Sequence, residues 1–232
     1  MTMGSLPDGF RALVVGATGG IGSAFVDALQ ADPRCGGVEA LHRRSTPPID
    51  LADEASIAAA AQTFADRRFH LVINAAGVLH GDGFMPEKKL AEINQAQLAA
   101  TFQANTFGPA LVIRHFAPQL DRQRGVMAML SAKVGSIGDN RLGGWMAYRA
   151  SKAALNMIVK TAAIELARTA PNAVLVALHP GTVDTALSAP FRGARIGRPP
   201  AQAAAQMLAV LDGLTPADSG AFVAYDGQRL PW

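Results

Sequence analysis

Tyr148 and Lys152 stand four residues apart in Gly-Trp-Met-Ala-Tyr148-Arg-Ala-Ser-Lys152-Ala-Ala-Leu. No Gly or Pro interrupts 146–169, and Leu155, Ile158 and Val159 recur at helical spacing, so a helix over Met146–Thr169 is expected. Residues i and i+4 share one helix face. The ammonium of Lys152 is then expected beside the phenol of Tyr148. A free phenol ionises near pH ~10, and a neighbouring cation lowers that by ~1–3 units. The pair thus forms a candidate acid/base unit, and the chain has only two tyrosines from which to build one.

A second constellation opens the chain. Phe10-Arg-Ala-Leu-Val-Val is an apolar run of strand length, followed by Gly16-Ala-Thr-Gly19-Gly20-Ile-Gly22 and a helix-like stretch from Ser23 to Ala31. Strand, glycine loop and helix in that order suit a phosphate: glycine lets the backbone come close, and the helix N-terminus supplies N–H groups and positive dipole. The spacing G-x-x-x-G-x-G differs from the general G-x-G-x-x-G fingerprint, so a plain glycine turn is the rival reading.

Further motifs give the pattern a context. Asn74-Ala-Ala-Gly77, Asn105 in Asn-Thr-Phe-Gly-Pro, and Pro180-Gly181-Thr-Val-Asp-Thr185 follow in order. With Gly16, Gly20, Gly22 and Tyr148/Lys152, they resemble the short-chain dehydrogenase/reductase family over residues from about 10 to 225, nearly the whole chain. Gly135-Ser-Ile-Gly-Asp-Asn140 and the ending Asp226-Gly-Gln-Arg-Leu-Pro-Trp232 are similar to the C-factor and sniffer-type carbonyl reductases. The resemblance implies a cofactor-contacting set of Gly16, Thr18, Gly19, Gly20, Ile21, Gly22, Arg43, Asp50, Leu51, Asn74, Ala75, Ala76, Gly77, Tyr148, Lys152, Pro180, Gly181, Val183 and Thr185. It also implies that Tyr148 exchanges a proton with a carbonyl oxygen and that Lys152 lowers its pKa and meets the nicotinamide ribose. Asn105 is expected to hold a relay water; a helix kink before Gly108-Pro109 is the other reading.

The family's orienting serine is missing. It belongs 16 residues before Tyr148, where this chain has Ala132. Ser131 or Ser136 is left to take its place, and Ser131 is the expectation, although in a regular strand it points to the opposite face. Cofactor choice turns on Leu41-His42-Arg43-Arg44. NAD-dependent relatives carry an acid at the position of His42, whereas arginine suits a 2′-phosphate, so NADP(H) is favoured over NAD(H).

The elements that must hold these residues alternate. Strands are expected at Ala12–Val15, Val38–Leu41, His70–Ile73, Gly125–Leu130, Ala173–Leu178 and Ala221–Ala224, with helices such as Ser56–Arg67 and Thr106–Asp121 between them. Near-continuous apolar strands between helices imply an α/β fold: one doubly wound parallel sheet, Rossmann-like, with helices on both faces and a single domain over residues 1–232. Half the residues are hydrophobic and 17% charged, which argues against disorder. No apolar run reaches the ~18 residues of a membrane span, and no leader is visible, so no membrane association is expected. A lone cysteine, Cys35, rules out a disulfide framework and a cysteine metal site, and fits a cytoplasmic protein without a metal. Net charge is only +3 and its carriers are scattered, which speaks against nucleic acid. Arg192, Arg195 and Arg198 either meet an anionic substrate or sit in a solvated loop. Leu79, Trp145 and the 188–198 loop are expected around substrate, and Ser188–Pro200 is either a lid or an ordinary loop. Taken together, these readings imply an NADP-dependent oxidoreductase interconverting a carbonyl compound and its alcohol, as a homodimer or homotetramer. The alternative is a cofactor-binding signalling or scaffold protein of C-factor type with little turnover.

Overall fold

Six strands form one parallel sheet in the order β2-β1-β3-β4-β5-β6. They are β1 (Phe10–Val15), β2 (Cys35–Leu41), β3 (Leu71–Asn74), β4 (Val126–Leu130), β5 (Val174–His179) and β6 (Phe222–Ala224). The computed structural model describes residues 2–81, 83–191 and 193–232. All the expected strands are present, shifted by one to three residues at their ends. β3 and β4 are buried throughout because helices cover both faces.

Alternation along β1 divides the core. Ala12 and Val14 face α1 (Gly20–Gln30), meeting Phe25 and Leu29. Leu13 and Val15 face the other layer, where α2 (Glu54–Thr63) contributes Ile57. Fully burying a side chain of this size contributes about 1.5–3 kcal/mol. Asp53 caps α2, its Oδ1 accepting from Ala55 N at 2.9 Å. The helix stops earlier than the expected Arg67. Its chain turns at Phe64 so that this ring can pack edge-on against Phe69, 5.7 Å away.

The expected helix over Thr106–Asp121 is instead a composite. α3 (Gln95–Phe102) runs through a π-turn at Gln103–Phe107 into α4 (Gly108–Phe116). Pro109 has no N–H to give to the carbonyl of Asn105, four residues back, and the Gly108 N–H reaches Gln103 O. The widened turn holds Asn105, whose side chain reaches the Val78 backbone beyond the end of β3.

α5 (Met146–Thr169) runs as expected, with Ala147, Ser151, Lys152, Leu155, Asn156, Val159 and Ala163 on its buried face. It is entered through three left-handed residues, Gly143 (φ 63°), Gly144 (φ 65°) and Trp145 (φ 54°). Glu87 secures that entry: its carbonyl accepts from Trp145 N at 2.5 Å and its carboxylate Oε2 from Ala147 N at 3.2 Å. Beyond β5 come a short α6 (Gly193–Ile196) and α7 (Pro200–Gly213), which packs beside α1.

β1 lies between β2 and β3, so successive connections leave it in opposite directions. A crevice opens there at the strands' carboxyl ends, the usual ligand site of such sheets.

Candidate active site

The glycine loop closes the crevice floor. Gly16 has φ +80°, and a Cβ on it would lie 2.7 Å from Ala76 N; only glycine allows both. Its N–H bonds to Leu41 O at 2.9 Å, tying the loop to the end of β2. Gly19 caps α1 with no side chain to offer, which leaves the helix's first amides available to an anion. A groove of about 450 Å³ runs outward from here, lined by Gly16, Thr18, His42, Arg43, Ile49, Asp50, Leu51, Ala76, Gly77 and Gln103 among others. Leu51 O accepts from Gln103 Nε2 at 3.0 Å, so the π-turn anchors this wall. Arg43 is exposed at the groove's edge. Asn74 ends β3, its Oδ1 accepting from Ala76 N at 3.3 Å, which shapes the turn toward Gly77.

Asn105 and Lys152 meet at Gly77. A Cβ there would be 3.2 Å from Asn105 Oδ1 and 3.5 Å from Lys152 Nζ. Asn105 is wholly buried and clasps the Val78 backbone, Oδ1 accepting from its N–H at 2.8 Å and Nδ2 donating to its carbonyl at 2.7 Å. Its Nδ2 also reaches Ser151 Oγ at 3.1 Å, so it locks α5 to the segment after β3. Asn105 thus lies inside the helix irregularity, the second of its two sequence readings.

Lys152 is buried, with Nζ donating to Leu130 O at 2.9 Å and lying 5.9 Å from the centre of the Tyr148 ring. Burial lowers the lysine to about 8 and raises the Tyr148 phenol to about 12. The expected depression of the phenol by its neighbour is reversed here, because desolvation of the phenolate outweighs an ammonium turned toward a backbone carbonyl. Tyr148 keeps a partly exposed edge, where water tempers that cost. At neutral pH the site therefore holds a protonated phenol and a protonated amine.

A second cavity of about 430 Å³ adjoins Tyr148. Leu79 and Trp145 line it, as expected, together with Ser188, Phe191 and Ile196 of the loop after β5. Trp145 and Phe191 pack with ring centres 4.8 Å apart. Pro180, Gly181, Val183 and Thr185 form the wall toward the glycine loop, and a Cβ on Gly20 would lie 2.8 Å from Thr185 Cγ2. Ile21 bridges the loop and this cavity. Nearby His179 is held neutral, driven to about 4 by burial and by the charges of Lys133 and Arg198.

Ser131 lines the cavity with Ala132 but is only 3% exposed, and its hydroxyl donates to Asn156 Oδ1 at 2.6 Å. Ser136 is not among the cavity's lining residues; its Oγ contacts Trp232 O at 3.3 Å and accepts from Asp139 N at 3.1 Å. Arg198 does not offer a free charge. Its guanidinium stacks on Tyr225 at 3.4 Å and bonds to Pro180 O and Gln206 Oε1, bracing the loop. Arg195 is exposed, and Arg192 lies outside the described residues. Asn156 and Glu87 escaped the sequence reading. Asn156 continues the Tyr148–Lys152 series by one more step of four, a signal that was available; Glu87 carries none. Among the described residues no cluster of His, Cys, Asp and Glu is arranged to hold a metal, and no helix is long and apolar enough to cross a membrane.

The short chain dehydrogenase family matches residues 11–195. The 1-hydroxy-2-glutathionyl-2-methyl-3-butene dehydrogenase of Rhodococcus sp. (strain AD45) is 33% identical over 186 residues, spanning 80% of this chain and 79% of its own. The C-signal protein of Myxococcus xanthus is 39% identical over 145 residues, 62% of this chain and 83% of its own. The NADPH-bound carbonyl reductase from chicken fatty liver superposes with a TM-score of 0.83 at 26% identity, over 98% of this chain and 96% of that one. The chain belongs to the short-chain dehydrogenase family and is an oxidoreductase of that family.

Proposed function

We propose that this short-chain dehydrogenase is an NADP(H)-dependent reductase of small or medium carbonyl compounds, with Tyr148 as its general acid. One observation carries the reading: Tyr148 lines a mainly apolar cavity, and Lys152, next on the same helix face, is buried beside Gly77 in the wall of a groove that starts at the glycine loop.

The groove fits the cofactor on its own geometry. Gly16 and Gly20 let the loop pack, since a Cβ at either would collide with Ala76 or Thr185, and the N-terminus of α1, which has no side-chain cap, offers amides to a phosphate. Arg43, beside His42 in place of an acid, is assigned to the 2′-phosphate, and Asp50 with Leu51 to the adenine. Gly16, Thr18, Gly19, Gly20 and Ile21 would hold the pyrophosphate at the N-terminus of α1, and Gly22 lets that helix pack against the Gly16 backbone. Asn74, Ala75, Ala76, Gly77 and Lys152 are assigned to the nicotinamide ribose, and Pro180, Gly181, Val183 and Thr185 to the nicotinamide side. When bound, the dinucleotide supplies or receives the hydride. NADPH is the form named for the chicken carbonyl reductase, in line with Arg43.

The chain's own residues handle the proton. Tyr148 gives its hydroxyl proton to the carbonyl oxygen as negative charge gathers there. Lys152, cationic below about 8, stabilises the phenolate left behind. Asn105 fixes the backbone at Val78 beside Lys152 and is the candidate anchor of a relay water. Ser131 is the candidate donor that orients the carbonyl where the family's serine is replaced by Ala132. Trp145, Phe191 and Leu79 exclude water and favour an apolar substituent. The working form is proposed to be a cytoplasmic homodimer or homotetramer, without nucleic acid, metal or membrane partners.

Ala132, together with the likeness to C-signal, supports a second reading as a cofactor-binding signalling protein with little turnover. Purified chain given NADPH and a panel of aldehydes and diketones separates the two. The enzyme reading expects carbonyl-dependent NADPH consumption that Tyr148→Phe abolishes. NADPH binding with no consumption across the panel favours the signalling reading.

A further inference from the structure

We infer that Asn156 is a positioning residue whose side-chain amide, by reversing its orientation, frees the Ser131 hydroxyl proton for the substrate carbonyl. The inference rests on the reductase reading above and adds a residue to it.

Asn156 lies on α5 one step of four beyond Lys152, so Tyr148, Lys152 and Asn156 share a helix face. Asn156 and Ser131 are each only 3% exposed. As placed, Ser131 Oγ donates to Asn156 Oδ1 at 2.6 Å, and Asn156 Nδ2 has no hydrogen-bond partner although it is buried. A hydroxyl has one proton. While it is given to Asn156, Ser131 cannot donate into the cavity that it lines with Ala132 and Tyr148.

An amide has a donor end and an acceptor end of nearly the same shape. Half a turn about its terminal bond puts Nδ2 where Oδ1 stood. Nδ2 then donates to Ser131 Oγ, and the Ser131 proton must find another acceptor. In the free chain the first arrangement leaves only Nδ2 unmet, whereas the second leaves both Oδ1 and the Ser131 proton unmet, so the first prevails. A carbonyl oxygen in the cavity shifts the balance, since only the second arrangement gives it a hydrogen bond. Asn156 then presents an N–H to one lone pair of Ser131 and aims its proton at the substrate. This places a donor close to Ala132, where the family's serine would stand.

The experiment uses the full chain with NADPH and its best carbonyl from the panel. Asn156→Asp offers Ser131 only acceptor oxygens and holds its proton. Turnover is expected to fall ~10²-fold, as for Ser131→Ala, with KM and NADPH affinity changed by no more than about twofold. The double variant is expected to be no worse than either single one. Adding Ala132→Ser to Asn156→Asp is expected to recover most of the loss, which repair of a merely mispacked helix would not do. Asn156→Ala carries no charge into the buried face and serves if the aspartate variant does not fold. It is expected to lose roughly tenfold, with the same rescue by Ala132→Ser. Undiminished turnover in the Asn156 variants, or a loss that Ala132→Ser leaves in place, overturns the inference. If Tyr148→Phe is inactive while Ser131→Ala and Asn156→Asp are not, the reductase reading stands and this inference alone falls. If the unaltered chain turns over no carbonyl, both fall.

Discussion

Replacing Arg43 by alanine should separate the two nicotinamide cofactors, because Arg43 is the cation that lines the groove at the end of β2. The residue is exposed, so its Coulomb attraction to one unit of phosphate charge at ~4 Å is only ~1 kcal/mol in water. The planar guanidinium adds charge-assisted hydrogen bonds, which bring the net contribution to ~1.5–3 kcal/mol. That corresponds to a loss of roughly 10- to 150-fold in NADPH affinity. NADH has no 2′-phosphate and should bind Arg43→Ala within about twofold of the parent. Arg44 is exposed but does not line the groove, so Arg44→Ala should cost less. Calorimetric titration of both cofactors into both proteins reads these numbers directly. Raising the salt should shrink the parent's preference for NADPH and leave the variant's affinities flatter, since exposed charges are screened within ~10 Å at 0.1 M. Equal binding of NADPH and NADH by the parent would refute the reasoning, as would an Arg43→Ala variant that loses both cofactors alike.

Other outcomes follow from the buried pair and the surfaces around it. Carbonyl reduction should slow as pH rises through about 8, where Lys152 loses its proton, and Lys152→Arg should move that limb upward; a flat profile between about pH 6 and 10 counts against the assignment. Because burial depresses Lys152 from 10.5 to about 8, the unfolded chain holds that proton more tightly, so stability should rise with pH between those values and the rise should vanish in Lys152→Met, read by denaturant unfolding. The phenol absorbance lost in Tyr148→Phe should titrate near 12 in the free chain, above the ordinary 10, in an ultraviolet pH titration. Gly16→Ala forces φ +80° on a residue with a Cβ and drives it to 2.7 Å from Ala76 N, so a loss of ~2–4 kcal/mol is expected in thermal unfolding, together with cofactor binding. Phe107, Met157 and Ile164 are exposed along the composite helix and α5. Light scattering should give at least twice the 24.1 kDa chain mass, and Met157→Glu with Ile164→Glu should reduce it to one chain; a single-chain particle from the parent refutes the assembly.

Much of this protein was legible in its amino-acid order because the signals are local. Apolar runs of four to six residues between helical stretches imply a covered parallel sheet, since only burial on both faces tolerates them. Glycines at 16, 20 and 22 stand where backbone must approach backbone, and a four-residue step puts Tyr148 and Lys152 on one face wherever the helix goes. Leu79 and Trp145 were identifiable as pocket residues through the motifs beside them. Local pattern did not extend to what distant segments impose. α2 ends early because Phe64 has Phe69 to pack against, and the expected helix over Thr106–Asp121 opens as a π-turn and runs as α4 only to Phe116, Pro109 having broken the hydrogen-bond ladder at its start. The shift of Tyr148 took the opposite sign from that suggested by its spacing from Lys152. Spacing tells which charge is near, whereas desolvation depends on everything else packed around the phenol, and here it dominates. Arg198 looked like a free cation until Tyr225 and Pro180 were folded against it. Ser131 meets Asn156 across 25 positions of chain, and Glu87 holds the entry to α5 across 60. Such pairings leave no periodic trace in sequence, since they arise only when sheet, π-turn and helix close around the same few ångströms.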